Sequence, residues 1–227
     1  MDIKEINEFG KQLTEKLNLK TKPVAVSLIP EGHDIPEGIE RIDESTRHCQ
    51  MVDNVRKTGK QFYALADDQM CKGGSSVMGL QEMPHKLATG DTYYNLKRFS
   101  TINAARRTME KVTKVAPGAT KAVVYGPLEN ATFIPDVVVI VTSPKQVMQL
   151  SQALLYKFGG RVDASFAGIQ SVCADGVALP YKEGKISVTV GCGGSRKFAN
   201  IADDEMILGI PVERLHDLVE AVNEMFG

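Results

Sequence analysis

Pro135-Asp136-Val137-Val138-Val139-Ile140-Val141-Thr142-Ser143-Pro144 is the stretch that decides the fold. Asp136 to Val141 reads as the strongest strand in the chain, because β-branched side chains suit a pleated, buried surface. The apolar run is far too short to cross a bilayer as a helix. Ser143 then offers an N-cap and Pro144 a first helical position, so a helix is expected from Ser143 to Phe158. Gly159-Gly160 stops it. A buried strand running straight into a capped helix sets the grammar for the rest of the chain.

Working outward, the same alternation recurs. Ile3, Ile6, Leu13 and Leu17 share one face of an opening helix. Pro23 to Pro30 reads as a buried strand, Gly32 to Gly38 as loop, Ser45 to Lys57 as helix and Gln61 to Ala66 as strand. Cys71-Lys72-Gly73-Gly74 forms a tight loop, and Pro84 to Lys97 is polar and irregular, suited to covering a site. Thr101 to Val115 is expected as helix, Lys121 to Tyr125 and Val162 to Phe166 as strands, and Ile169 to Val177 as a short helix. Ile186 to Val190 alternates as a strand, Gly191-Cys192-Gly193-Gly194 is a second tight loop, Glu205 to Gly209 is a strand, and Pro211 opens a final helix to residue 226. Intermixed strands and helices predict an α/β domain, with α+β as the alternative, built on a mixed sheet with flanking helices. No long linker divides residues 1–227, so a single domain is expected.

The two halves echo one another. Residues 22–84 run Pro23-Val24-Ala25-Val26, Cys49, Gly59-Lys60, a strand, then Cys71-Lys72-Gly73-Gly74. Residues 134–211 run Pro135-Asp136-Val137-Val138, Cys173, Gly184-Lys185, a strand, then Cys192-Gly193-Gly194. The pairs are similarly spaced, with 21 residues between Cys49 and Cys71 and 18 between Cys173 and Cys192. We read two degenerate repeats related by a pseudo-twofold, bringing two cysteines from each half to one site.

Composition narrows the function. The 227 residues carry 27 Lys+Arg against 28 Asp+Glu, which gives no basis for broad attraction to nucleic acid or anionic lipid. The N-terminus lacks the charged and apolar regions of a signal peptide, so a cytoplasmic protein is expected, where stable disulfides are rare. A chain of this length buries a core without staples. The four cysteines therefore need another explanation.

Taken singly, each cysteine could be a small core hydrophobe. As a set they suit a four-thiolate metal site. Cys71 and Cys192 lie in glycine-rich loops that let backbone approach a bulky group, and Cys49 and Cys173 lie on short helices whose first amides favour thiolate. Zinc sites commonly use close C-x₂₋₄-C pairs, which are absent. Dispersed single ligands favour an iron–sulfur cluster, most simply 4Fe–4S, with zinc, a thiol redox pair and a metal-free domain as alternatives. Around it, His48, Lys72, Gly73, Gly74, Gly193, Gly194 and Arg196 are candidates for supporting the centre or meeting a substrate, although a histidine beside a helix start is more often a surface or capping residue and Arg196 is equally suited to a surface salt bridge. Asp203-Asp204-Glu205 reads as a solvated face. Walker, dinucleotide-binding, nucleophile-elbow and H-E-x-x-H motifs are absent.

These words also resemble a known family. Lys22-Pro23-Val24-Ala25-Val26, Arg47-His48-Cys49-Gln50, Cys71-Lys72-Gly73-Gly74, Pro135-Asp136-Val137-Val138, Cys173-Ala174-Asp175 and Gly191-Cys192-Gly193-Gly194-Ser195-Arg196 are similar to the prokaryotic family catalogued as domain of unknown function 169, abundant in methanogens and other anaerobes. The resemblance implies a shared architecture and an anaerobic or archaeal setting, and supplies no substrate. The expectation is thus a cytoplasmic iron–sulfur protein ligated by Cys49, Cys71, Cys173 and Cys192. It would act in electron transfer or cluster-based redox chemistry of anaerobic metabolism, meeting a redox partner protein or a small-molecule substrate. A non-catalytic cluster carrier or accessory protein and a zinc-stabilised binding domain are the competing readings. No nucleic-acid or membrane partner is expected, and a homodimer is left open.

Overall fold

A computed structural model describes residues 1–227. Six strands form one sheet: β1 (Val24–Pro30), β2 (Phe62–Ala64), β3 (Thr120–Pro127), β4 (Val137–Thr142), β5 (Ser187–Thr189) and β6 (Met206–Pro211), in the order β2-β3-β1-β4-β6-β5. Every pairing is antiparallel, so the α/β class holds in its α+β form and the sheet is not mixed. Each half of the chain supplies three neighbouring strands. The order is unchanged when β1, β2 and β3 are exchanged with β4, β5 and β6 and read from the other edge. Registers follow the same exchange: Val24 faces Pro127 as Val137 faces Pro211, Phe62 faces Tyr125 as Ser187 faces Gly209, and Ala25 faces Val138 at the centre.

Side chains alternate across a strand, so the central strands feed two cores. Ala25, Ile29, Val138 and Ile140 pack on one face against helices Ile3–Lys16, Pro144–Leu155 and Leu215–Phe226. Val24, Val26, Val137, Val139 and Val141 pack on the other against helix His48–Thr58, the short helix Lys72–Val77 and the segment Ser171–Ala178. Coverage on both faces is why β4 is apolar without a break. Removing a fully buried core side chain such as Leu150 costs about 2–5 kcal/mol.

Ser143 caps its helix as expected, its hydroxyl accepting from the Gln146 N–H, with Pro144 in the first turn. Several local expectations are corrected. Val162 to Phe166 forms no strand; Val162 alone packs on the core while Asp163 to Phe166 are exposed, so no alternating face is buried. The Thr101–Val115 helix ends at Glu110, and two short helices, His85–Ala88 and Asp91–Asn95, lie within the irregular stretch. Pro211 ends β6, and a 3₁₀ turn, Val212–Arg214, separates it from the last helix. No helix is long and apolar enough to cross a membrane.

Candidate functional site

The four cysteines arrive from four separate elements on one face of the sheet. Cys49 is in the first turn of helix His48–Thr58. Cys71 is the N-cap of Lys72–Val77 and its Sγ accepts the Gly74 N–H at 3.4 Å. Cys192 is the N-cap of the Gly193–Phe198 helix and its Sγ accepts the Ser195 N–H at 3.4 Å. Both loops expected at Cys71 and Cys192 therefore pass directly into helices. Cys173 lies on the π-helical segment Ser171–Ala178, a rare conformation that recurs at functional sites, and its thiol donates to the Gln170 carbonyl at 3.4 Å.

All four cysteines line one cavity of about 510 Å³. None is in a disulfide, and only Cys173 is fully buried. Burial, together with the neighbouring thiols Cys192 and Cys71, pushes the Cys49 pKa up to about 12. Burial and the other three thiols push Cys173 well above its ordinary value. Within the cavity no three potential ligand atoms all lie within 4.8 Å of one another. A single tetrahedral zinc ion with Zn–S bonds of 2.3 Å would need its sulfurs about 3.8 Å apart. The thiols are therefore not gathered as closely as one ion requires.

The supporting candidates divide. His48, Gly74, Gly193 and Gly194 line the cavity; Lys72, Gly73 and Arg196 do not. His48 is 2% exposed, so the surface or capping role does not hold. Its Nδ1 meets the Tyr125 hydroxyl at 2.9 Å, and its Nε2 has no hydrogen-bond partner, the Val172 carbonyl beside it lying outside bonding geometry. Burial lowers its pKa to about 4, which leaves the imidazole neutral at pH 7. Gly73 packs closely against Gln170, since a Cβ there would come within 2.9 Å of its amide nitrogen and that side chain would have to shift. Lys72 is exposed. Arg196 is a loop clamp, donating to the carbonyls of Val190, Ile201, Ala202 and Glu205.

Residues not singled out in the sequence complete the walls: Arg47, Tyr93, Leu96, Arg98, Gln170 and Phe198 among them. Arg47 stacks 3.8 Å over the Phe198 ring. No aspartate or glutamate lines the cavity, whereas Arg47, Arg98 and Lys197 do. The site is held together from behind by Arg56, whose guanidinium pairs with Asp53 at 2.7 Å and Glu205 at 2.6 Å. Asp203 and Asp204 are exposed as expected, but Glu205 is not simply solvated: it locks the segment following Cys192 to the helix bearing Cys49. A separate group, His216, Asp217 and Glu220, sits on the exposed side of the last helix, where Lys157 already pairs with both carboxylates.

An α+β fold that gathers four thiols from distant elements into one cavity defines the class. A family model described as "Uncharacterised ArCR", domain of unknown function 169, matches residues 12–221, and the chain belongs to that family. It is 43% identical over 223 residues to "Uncharacterized protein MJ0308" of Methanocaldococcus jannaschii, covering 98% of this chain and 95% of the relative. No solved structure matches it.

Proposed function

We propose that this is an iron–sulfur protein in which Cys49, Cys71, Cys173 and Cys192 ligate one cluster, most simply 4Fe–4S, for electron transfer or cluster-based redox chemistry. The observation that carries the reading is the convergence of all four cysteines on one cavity. No three of the thiols are close enough to one another to form a ready-made single-zinc site. Arg47, Arg98 and Lys197, with no facing carboxylate, would offset the negative charge of a thiolate-bound cluster. With every iron carrying a thiolate, outer-sphere electron transfer to a redox partner is the simplest use. The same proposal treats the halves as degenerate copies about an axis through Ala25 and Val138, a reading supported by the exchangeable strand order and registers.

A second reading, a cluster carrier, draws on the partial accessibility of Cys49, Cys71 and Cys192, which leaves one side of the centre open to an acceptor. Anaerobic reconstitution with ferrous iron and sulfide should give a brown protein with one cluster per chain. Cys→Ser at any of the four positions should lower iron and sulfide content. A colourless product without iron or sulfide would sink the proposal, as would losses confined to the cysteines of one half. Reversible cycling with dithionite marks electron transfer; transfer to an apo-acceptor marks a carrier.

A further inference from the structure

We propose that the cysteine cavity also holds a subsite for a small organic anion, a carboxylate on an apolar body, recognised by Gln170 and Arg98. The inference deepens the cluster reading, which it takes as the neighbouring reactive or electron-accepting centre.

Gln170 is the starting point. It lines the cavity at 5% exposure, and neither its Oε1 nor its Nε2 has a partner in good hydrogen-bond geometry, the nearby Tyr93 hydroxyl included. Buried amides are normally paired, because an unsatisfied one forfeits its hydration without return. Its backbone is also left-handed at φ 49°, a conformation that costs a residue bearing a Cβ. The fold thus holds a strained residue with an unpaired donor and an unpaired acceptor at the cavity wall. A ligand bearing a carboxylate would take the donor.

Arg98 is the second observation. It lines the same cavity and takes part in no ion pair. Its place is fixed by the backbone: after helix Asp91–Asn95, Lys97 turns left-handed at φ 54° and the Arg98 N–H donates to the Tyr93 carbonyl at 3.0 Å. This is the closing bond of a Schellman turn, so the residue is held by local geometry. A planar guanidinium matches a carboxylate with two parallel hydrogen bonds. Tyr93, Leu96, Ile169 and Phe198 line the remaining wall, which suits an apolar body and does little for inorganic phosphate.

The test uses the full chain, metal-free and after anaerobic reconstitution, titrated calorimetrically with benzoate, the neutral isostere benzamide, and inorganic phosphate. Benzoate should bind saturably, with benzamide and phosphate weaker by roughly tenfold or more. Arg98→Gln, at an exposed position, should weaken benzoate binding to the metal-free chain by roughly tenfold with the thermal midpoint unchanged. Gln170→Leu should do the same, and a Gln170→Leu chain that fails to fold leaves the Arg98→Gln comparison to decide. Equal binding of benzamide, tighter binding of phosphate, no binding to either form, or undiminished binding by Arg98→Gln would each overturn the subsite. Benzoate binding by a chain that never takes up iron would keep the subsite and remove the cluster; a loaded protein indifferent to benzoate would do the reverse.

Discussion

Replacing Arg56 with alanine tests how the site is assembled. Its side chain is 2% exposed and bridges Asp53 at 2.7 Å, on its own helix, to Glu205 at 2.6 Å, just before β6. Removing one partner of a buried ion pair typically costs about 3–5 kcal/mol, because the remaining charge is left buried and unpaired. Here relief is partial. Asp53 keeps Lys57 at 2.9 Å, and Glu205 is 17% exposed and keeps the Ala202 N–H at 2.9 Å. The expected loss is therefore about 2–3 kcal/mol. With a urea slope of about 2 kcal/mol/M, the midpoint should fall by about 1–1.5 M at unchanged slope. Iron retention should fall with it, since the same guanidinium ties the Cys49 helix to the segment after Cys192. Arg56→Lys keeps charge but not the fork and should fall between the two. A midpoint for Arg56→Ala equal to that of the parent would refute the argument.

Two further outcomes follow from the same structure. A Cβ at Gly209 would sit 2.3 Å from the Gly176 carbonyl oxygen, so Gly209→Ala should push the Cys173-bearing segment off β6; a loss of about 3 kcal/mol or more in urea unfolding and reduced iron content are expected, and a parent-like variant would show that the segment is not held by this contact. Stability should also fall in acid. Burial opposes ionisation of Glu205, but hydrogen bonds from Arg56 and the Ala202 N–H outweigh it and hold its pKa below the ordinary 4.5. Because the folded value is the lower one, its contribution is present above pH 4.5 and is lost as pH falls through that lower value. Urea midpoints measured across this range should show a smaller acid loss in Arg56→Ala than in the parent; identical profiles would contradict the assignment.

The main strands were legible because their signals are local, whereas the two glycine-rich stretches expected as loops form the first turns of helices capped by Cys71 and Cys192. Val137 to Val141 declares a strand by β-branching, and Ser143-Pro144 declares a helix start. Val162 to Phe166 carried the same local signal and failed, since it lacks a place in the sheet that would bury one face. Arg196 sits beside Cys192 in sequence, yet its guanidinium serves backbone carbonyls, while Arg98, far away in sequence, lines the cavity. Glu205 looked solvated until its partner on the Cys49 helix was visible.

By itself the sequence determined most of the strands and longer helices and the family. Tertiary structure decided that the sheet is antiparallel, that all four cysteines share one of its faces, and that Gln170 and Arg98 join them. The physical reason is range: caps, turns and periodicity act over a few residues, whereas strand order and helix docking bring together side chains separated by more than a hundred positions, as Cys49 and Cys192 are.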